Sequence, residues 1–70
     1  MDKAILEKAG LSKGEAEVYI ALLKLGFSPV NKIAQRTGLH RTNIYDTLEK
    51  LKEKGLVSYV IKENRKYYSA

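Results

Sequence analysis

Four side chains with strong hydrogen-bonding capacity stand close together near the middle of the chain, namely Arg41, Thr42, Asn43 and Tyr45. The guanidinium group of Arg41 suits a paired contact to guanine, and the amide of Asn43 suits a paired contact to adenine. Thr42 suits contact with a thymine methyl group or a phosphate, and Tyr45 is long enough to contact the DNA backbone or a base. These residue types predict contacts with double-stranded DNA if one helix presents them together.

Structural roles are open to the same side chains. Asn43 is equally suited to the first helical turn, and Tyr45 to folding back onto a core. His40 either caps the helix or donates to a phosphate. Asp46 is acidic, so we expect it to orient Arg41 or its neighbour rather than to touch a phosphate.

A second group of candidate DNA contacts lies near the C-terminus, at Lys62, Arg65 and Lys66. Cations at a hairpin tip suit phosphate or minor-groove contacts, although a charged solvated turn is the plain alternative. Lys32 and Gln35, on a helix before Arg41, are candidates for the backbone on the other flank.

The helix that must carry the first group is predicted over residues 41–54. Ile44, Leu48 and Leu51 recur at helical spacing and form its inner stripe, and Gly55 marks its end. Charges of both signs follow one another over the outer side of its second half, which is typical of a solvated face. These residues are Glu49, Lys50, Lys52, Glu53 and Lys54.

A shorter helix precedes it, with Ser28 as its predicted N-cap and Pro29 as its first residue. Gly38 ends this helix, and only two residues separate Gly38 from the next one. Two short helices joined so tightly must cross steeply, which predicts a helix-turn-helix over residues 30–55. The inner face of the shorter helix comprises Val30, Ile33, Ala34 and Thr37.

The N-terminal part of the sequence predicts two further helices. The first spans residues 2–9, with Asp2 available as its N-cap. Ser12 and Glu15 then have the spacing of a capping box, and the apolar run that follows is typical of a buried helix ending at Gly26.

After residue 55 the hydrophobic period changes from 3.6 to about 2, which predicts a β-hairpin wing over residues 56–69. We place its tip at residues 63–65. Val57, Tyr59 and Tyr67 are expected to face the core.

The composition limits the classes of protein to consider. The 70 residues make one domain at most, and a net charge of +5 favours a polyanionic partner. With no cysteine and one histidine, neither a disulfide nor a metal site is expected, and no cofactor is implied. The longest apolar run, residues 18–23, is too short to span a membrane, so we expect a cytoplasmic protein.

The predicted fold is mainly α with a small β-hairpin: a winged helix-turn-helix of three to four helices and a two-stranded wing, filling residues 1–70. Helix-turn-helix motifs place alanine, glycine and a β-branched residue at their fifth, ninth and fifteenth positions. Ala34, Gly38 and Ile44 stand there when Val30 is counted as the first.

Four stretches of the sequence carry a closer resemblance: residues 21–26, 33–34, 37–49 and 53–57. They resemble the N-terminal domain of the archaeal TrmB-like transcriptional regulators, with Arg-Thr-Asn-Ile-Tyr-Asp at 41–46 as the most specific part. The resemblance implies an archaeal or thermophilic origin and a sequence-specific, usually dimeric transcriptional regulator.

TrmB-like regulators usually continue into a long C-terminal region that helps dimerisation and can bind sugars. This sequence stops at Ala70, so we expect either an excised domain or a stand-alone minimal relative, with no small-molecule effector. A homodimer is expected because one small domain binds DNA weakly. Its candidate surfaces are the helix that carries Ile5 and Leu6 and the strand that carries Tyr67 and Tyr68.

The sequence is compatible with three other functions to differing degrees. An enzyme is not expected, since the sequence lacks a phosphate-binding glycine loop and an evident catalytic pair. A protein-interaction module of the transcription machinery is the main alternative. Such modules tend to be apolar or acidic on the recognition-helix face, where this chain has Arg41, Thr42 and Asn43. RNA binding ranks third, because no aromatic stacking platform is evident.

Overall fold

The computed structural model describes residues 3–70, and within them it has four helices followed by one antiparallel hairpin. This mainly α arrangement with a two-stranded wing confirms the predicted fold. The predicted cap at Asp2 lies outside the described residues. The elements are α1 (Lys3–Lys8), α2 (Lys13–Leu25), α3 (Val30–Thr37), α4 (Arg41–Glu53), β1 (Ser58–Lys62) and β2 (Arg65–Ser69).

The core lies where α2, α3 and α4 meet. The largest fully buried side chains of the described residues come from these three helices. Because they are apolar and spaced at helical intervals, burying them holds the three helices together. They are Val18, Leu22, Ile33, Ile44, Leu48 and Leu51.

The turn between α3 and α4 depends on Gly38, whose φ of 75° and ψ of 7° are left-handed. A side chain at this backbone conformation is strained, so glycine is the suitable residue. The Gly38 N–H donates to the Ala34 carbonyl at 2.8 Å, and the Thr37 hydroxyl accepts from the Leu39 N–H at 3.2 Å. These contacts fix the crossing of the two helices and confirm the predicted helix-turn-helix.

The predicted cap of α3 at Ser28 was wrong, since Pro29 is the N-cap and makes no side-chain cap bond. Both backbone groups of Ser28 are instead paired with Tyr68. The Ser28 N–H donates to the Tyr68 carbonyl at 3.0 Å, and the Tyr68 N–H donates to the Ser28 carbonyl at 2.8 Å. The wing is thereby hydrogen-bonded to the segment that leads into α3.

The hairpin register places Tyr59 opposite Tyr68 and Lys62 opposite Arg65. The turn therefore contains only Glu63 and Asn64, both at positive φ as in a type I′ turn. The predicted tip was one residue too long, because Arg65 belongs to β2.

The predicted inward face of β2 was also wrong. Tyr68 is 7% exposed and packs in the core beside Tyr59, with ring centroids 5.7 Å apart. Tyr67 lies on the outer face because neighbouring residues of a strand point to opposite sides. Leu6 and Tyr68, two of the residues named for the expected dimer surfaces, are both buried in the domain, so of the four only Ile5 and Tyr67 are accessible.

The predicted capping box at the start of α2 is confirmed. The Ser12 hydroxyl accepts from the Glu15 N–H at 3.1 Å, and a Glu15 carboxylate oxygen accepts from the Ser12 N–H at 2.7 Å. The same carboxylate, in a residue only 5% exposed, pairs with the Lys54 ammonium at 3.0 Å. Lys54 is therefore more than part of a solvated face, because it joins the end of α4 to the start of α2.

These bonds make the stability of the domain depend on pH. The Ser12 N–H and then the Lys54 ammonium hold the pKa of Glu15 below its ordinary value of 4.5. A lowered pKa means that this contribution to stability is complete above pH 4.5 and is lost as the pH falls through the pKa of the folded state.

We expect Glu15→Gln to remove much of that loss, since glutamine keeps the capping hydrogen bond but has no charge to titrate. Glu15→Ala removes the cap as well and is expected to cost about 1 kcal/mol more at neutral pH. Urea unfolding of both variants and the unsubstituted protein, at neutral and acid pH, measures this. An equally steep loss of stability in acid for Glu15→Gln would contradict it.

Candidate nucleic-acid interface

The outer side of α4 at its N-terminal end carries the candidate base contacts. Arg41, Thr42 and Asn43 are exposed, while Ile44 in the same turn is fully buried. Tyr45 is 50% exposed, so it does not fold into the core. The helix therefore presents a polar, hydrogen-bonding surface at the end that reaches base edges when such a helix enters the major groove.

His40 and Asp46, which flank these residues, make fewer contacts than the sequence predicted. His40 is the N-cap of α4, but its side chain makes no cap hydrogen bond. Among the ion pairs of residues 3–70, none joins Asp46 to Arg41, so Asp46 does not orient Arg41 through an ion pair. The His40 side chain is exposed at the start of α4.

The wing cations divide between the two sides of the hairpin. Lys66 lies with its ammonium 4.7 Å from the centre of the Tyr59 ring, a cation–π distance that favours this position. Lys62 lines a different depression, together with Phe27 and Val60. Only part of the predicted wing cluster therefore faces α4.

A pocket of about 260 Å³ lies between the start of α3, the start of α4 and the wing. It brings Arg41 and Tyr45 from α4 together with Arg65 and Lys66 from β2. The fold thus joins the two groups of candidates that the sequence separated by some twenty residues. Lys32 and Gln35 lie elsewhere, in a shallow depression beside Arg36.

The charges of this pocket are uncompensated. The ion pairs of the described residues involve Lys3, Lys52 and Lys54, and none of them involves a cation of the pocket. Burial is the main cause that raises the pKa of Tyr68, whose ring lines the pocket floor and stays protonated at neutral pH. The pocket is therefore positive and suits an anion.

Comparison with known proteins agrees with this architecture. The model of the family described as "Sugar-specific transcriptional regulator TrmB" matches residues 6–70. The chain belongs to the TrmB family. This confirms the resemblance found in the sequence.

One TrmB-family relative is the HTH-type sugar sensing transcriptional regulator TrmBL1 of Pyrococcus furiosus. It is 44% identical over 55 residues, which cover 79% of this chain. The matched segment spans 16% of the relative's own length. The likeness therefore concerns one part of that larger protein.

One pocket residue of this TrmB-family chain was missed from sequence. Asn31 stands in the first turn of α3 and lines the pocket beside Arg41. In the sequence it follows the inner-face residue Val30 and precedes Lys32, as any polar residue on a solvated helix face does. Asn31 belongs to the site only because the wing lies beside the start of α3, where Ser28 and Tyr68 are hydrogen-bonded.

Other kinds of site find no support in the described part of the chain. Residues 3–70 contain no cluster of three or more side chains that could hold a metal ion. None of their helices has both the length and the apolar character needed to cross a membrane.

Proposed function

We propose that this chain binds double-stranded DNA sequence-specifically as part of a transcriptional regulator. In this proposal α4 enters the major groove and the wing contacts the backbone or the minor groove. The observation that carries it is the pocket that joins Arg41 of α4 to Arg65 and Lys66 of the wing. An uncompensated positive surface that continues from a recognition helix onto a wing matches the charge and shape of a duplex.

The side chains divide by expected role. Arg41 and Asn43 reach base edges, with Thr42 and Tyr45 beside them. The cations farther from the helix start contact phosphates and carry no sequence information. These are Lys32, Lys62, Arg65 and Lys66, with Gln35 and His40 as further phosphate contacts.

The alternative of a protein-interaction module is disfavoured by the same surface. Its exposed residues at the start of α4 are polar and basic, whereas docking faces of such modules are apolar or acidic. The proposal also includes a homodimer, since a single small domain buries too little area for specific affinity. Such a regulator acts in the cytoplasm, beside the DNA that it binds.

Selection of bound duplexes from a random pool tests the proposal. We expect a preferred sequence, and a palindrome in it indicates two domains related by twofold symmetry. The absence of any retained duplex at low salt contradicts DNA binding.

Two variants distinguish recognition of bases from contact with phosphates. Arg41→Ala is expected to weaken binding of the selected duplex by about 10-fold or more, with a much smaller effect on random DNA. Lys66→Ala is expected to weaken both duplexes alike, because phosphates are the same in every sequence. Equal losses on both duplexes for Arg41→Ala would show that Arg41 does not read bases. Fluorescence anisotropy with both duplexes measures these losses.

A further inference from the structure

Asn31, which lines the pocket beneath the wing, has a polar atom that the fold leaves without a partner. Its Oδ1 atom is buried and accepts no hydrogen bond from residues 3–70. A buried acceptor without a partner lowers stability, so its presence needs an explanation other than folding.

The pocket supplies donors of the kind that Asn31 lacks. Arg41, Arg65 and Lys66 line it, and none of them is committed to an ion pair. In the free protein these like charges repel one another, and the Lys66 ammonium lies over the Tyr59 ring, 4.7 Å from its centre. An anion placed between them would remove the repulsion and draw them inwards.

Two further features indicate which anion fits. The first turn of α3, with Asn31 in it, faces the pocket, and so does the first residue of α4. Helix N-termini favour negative charge. Tyr45 also lines the pocket and carries a hydroxyl that can donate, and a volume of about 260 Å³ is ample for one tetrahedral anion.

We propose that this pocket holds one phosphodiester group of the DNA backbone, shared by Arg65 and Lys66, and that Asn31 is a positioning residue for the cations around it. When the phosphate enters, the cations close on it and one of them donates to Asn31 Oδ1. The inference rests on the proposed function and adds to it a single shared phosphate. It also predicts that Asn31 favours binding at the expense of stability.

The salt dependence of duplex affinity measures how many DNA phosphates the protein neutralises. Each neutralised phosphate contributes about −0.9 to the slope of log affinity against log salt. We expect Arg65→Ala, Lys66→Ala and the double variant each to reduce the steepness by no more than about 0.9 per bound domain, because both cations hold one phosphate. A reduction of about 1.8 per bound domain in the double variant assigns the two cations to separate phosphates and overturns the proposal.

Lys32→Ala is the matched control, since it removes the same charge outside the pocket, from the shallow depression beside Arg36. Its effect on the slope is expected to add in full to that of the double variant. If the pocket variants leave the slope unchanged while Lys32→Ala reduces it, the pocket holds no phosphate, although DNA binding stands. If neither the variants nor the unsubstituted protein binds a duplex, the proposed function itself fails.

Asn31→Leu tests the positioning role. We expect duplex affinity to fall about 5-fold, as for loss of one hydrogen bond, while the melting temperature rises because the unpaired acceptor is gone. A lower melting temperature with unchanged affinity makes Asn31 a structural residue and overturns its assigned role.

Inorganic phosphate, titrated onto the DNA-free protein, distinguishes the source of the anion. Saturable binding that the double variant loses, together with an unchanged salt slope for the duplex, assigns the pocket to a free anion and overturns the proposal. Weak or absent binding of inorganic phosphate, with the slope changes expected above, supports a phosphate of the duplex.

Discussion

Replacing Ile44 with alanine is expected to remove about half of the protein's stability. Ile44 is fully buried where α3 and α4 meet, and truncating such a side chain costs about 2–5 kcal/mol. A chain of 70 residues has roughly 4–10 kcal/mol of stability in all. The loss should appear as a large fall in the urea midpoint followed by circular dichroism.

Ile61→Ala is the matched control, because the same atoms are removed from a side chain that is 67% exposed. Its stability is expected to stay within about 0.5 kcal/mol of the unsubstituted protein. Similar midpoints for the two variants would show that α4 is not held by Ile44, and the account of the core would then be wrong.

Duplex binding is expected to weaken about 40-fold for one domain when salt rises from about 50 to about 200 mM. The assignments above give about three phosphate contacts: one in the shared pocket, one at Lys62 and one at Lys32. Three contacts correspond to a slope of about −2.7 in log affinity against log salt. A dimer on two half-sites doubles the slope.

Lys50→Ala provides the control for this slope. Lys50 is exposed on the recognition helix but lies outside the residues that line the pocket beneath the wing. Removing its charge is therefore expected to leave the slope unchanged within error. A slope near zero for the unsubstituted protein contradicts phosphate contacts of any kind. A shallower slope for Lys50→Ala would place the interface nearer the second half of α4.

The elements of this fold were predictable because each has a local cause. The capping box at Ser12 and Glu15, the left-handed turn at Gly38 and the apolar stripe around Ile44 all act within a few residues. The short helices, the tight turn between α3 and α4 and the hairpin follow from such signals. The same holds for the exposure of Arg41 to Asn43, which is fixed by the helical period.

The errors have a common cause in contacts between distant parts of the chain. Ser28 has the chemistry of a helix cap, but its pairing with Tyr68 uses both of its backbone groups. That pairing in turn decides which tyrosine of β2 faces inwards. Lys54 looks like a solvated lysine until the fold places Glu15 beside it, and Asn31 joins the site only through the wing.

The Ser28–Tyr68 bridge has a consequence for how a duplex is accommodated. Two backbone hydrogen bonds and the buried Tyr68 ring fasten the wing to the helices, so the wing does not swing as an independent flap. With the protein side of the interface stiff, any misfit must be taken up by bending or groove narrowing of the DNA. That cost depends on base sequence even at positions that no side chain touches, which would give this small domain a second source of selectivity.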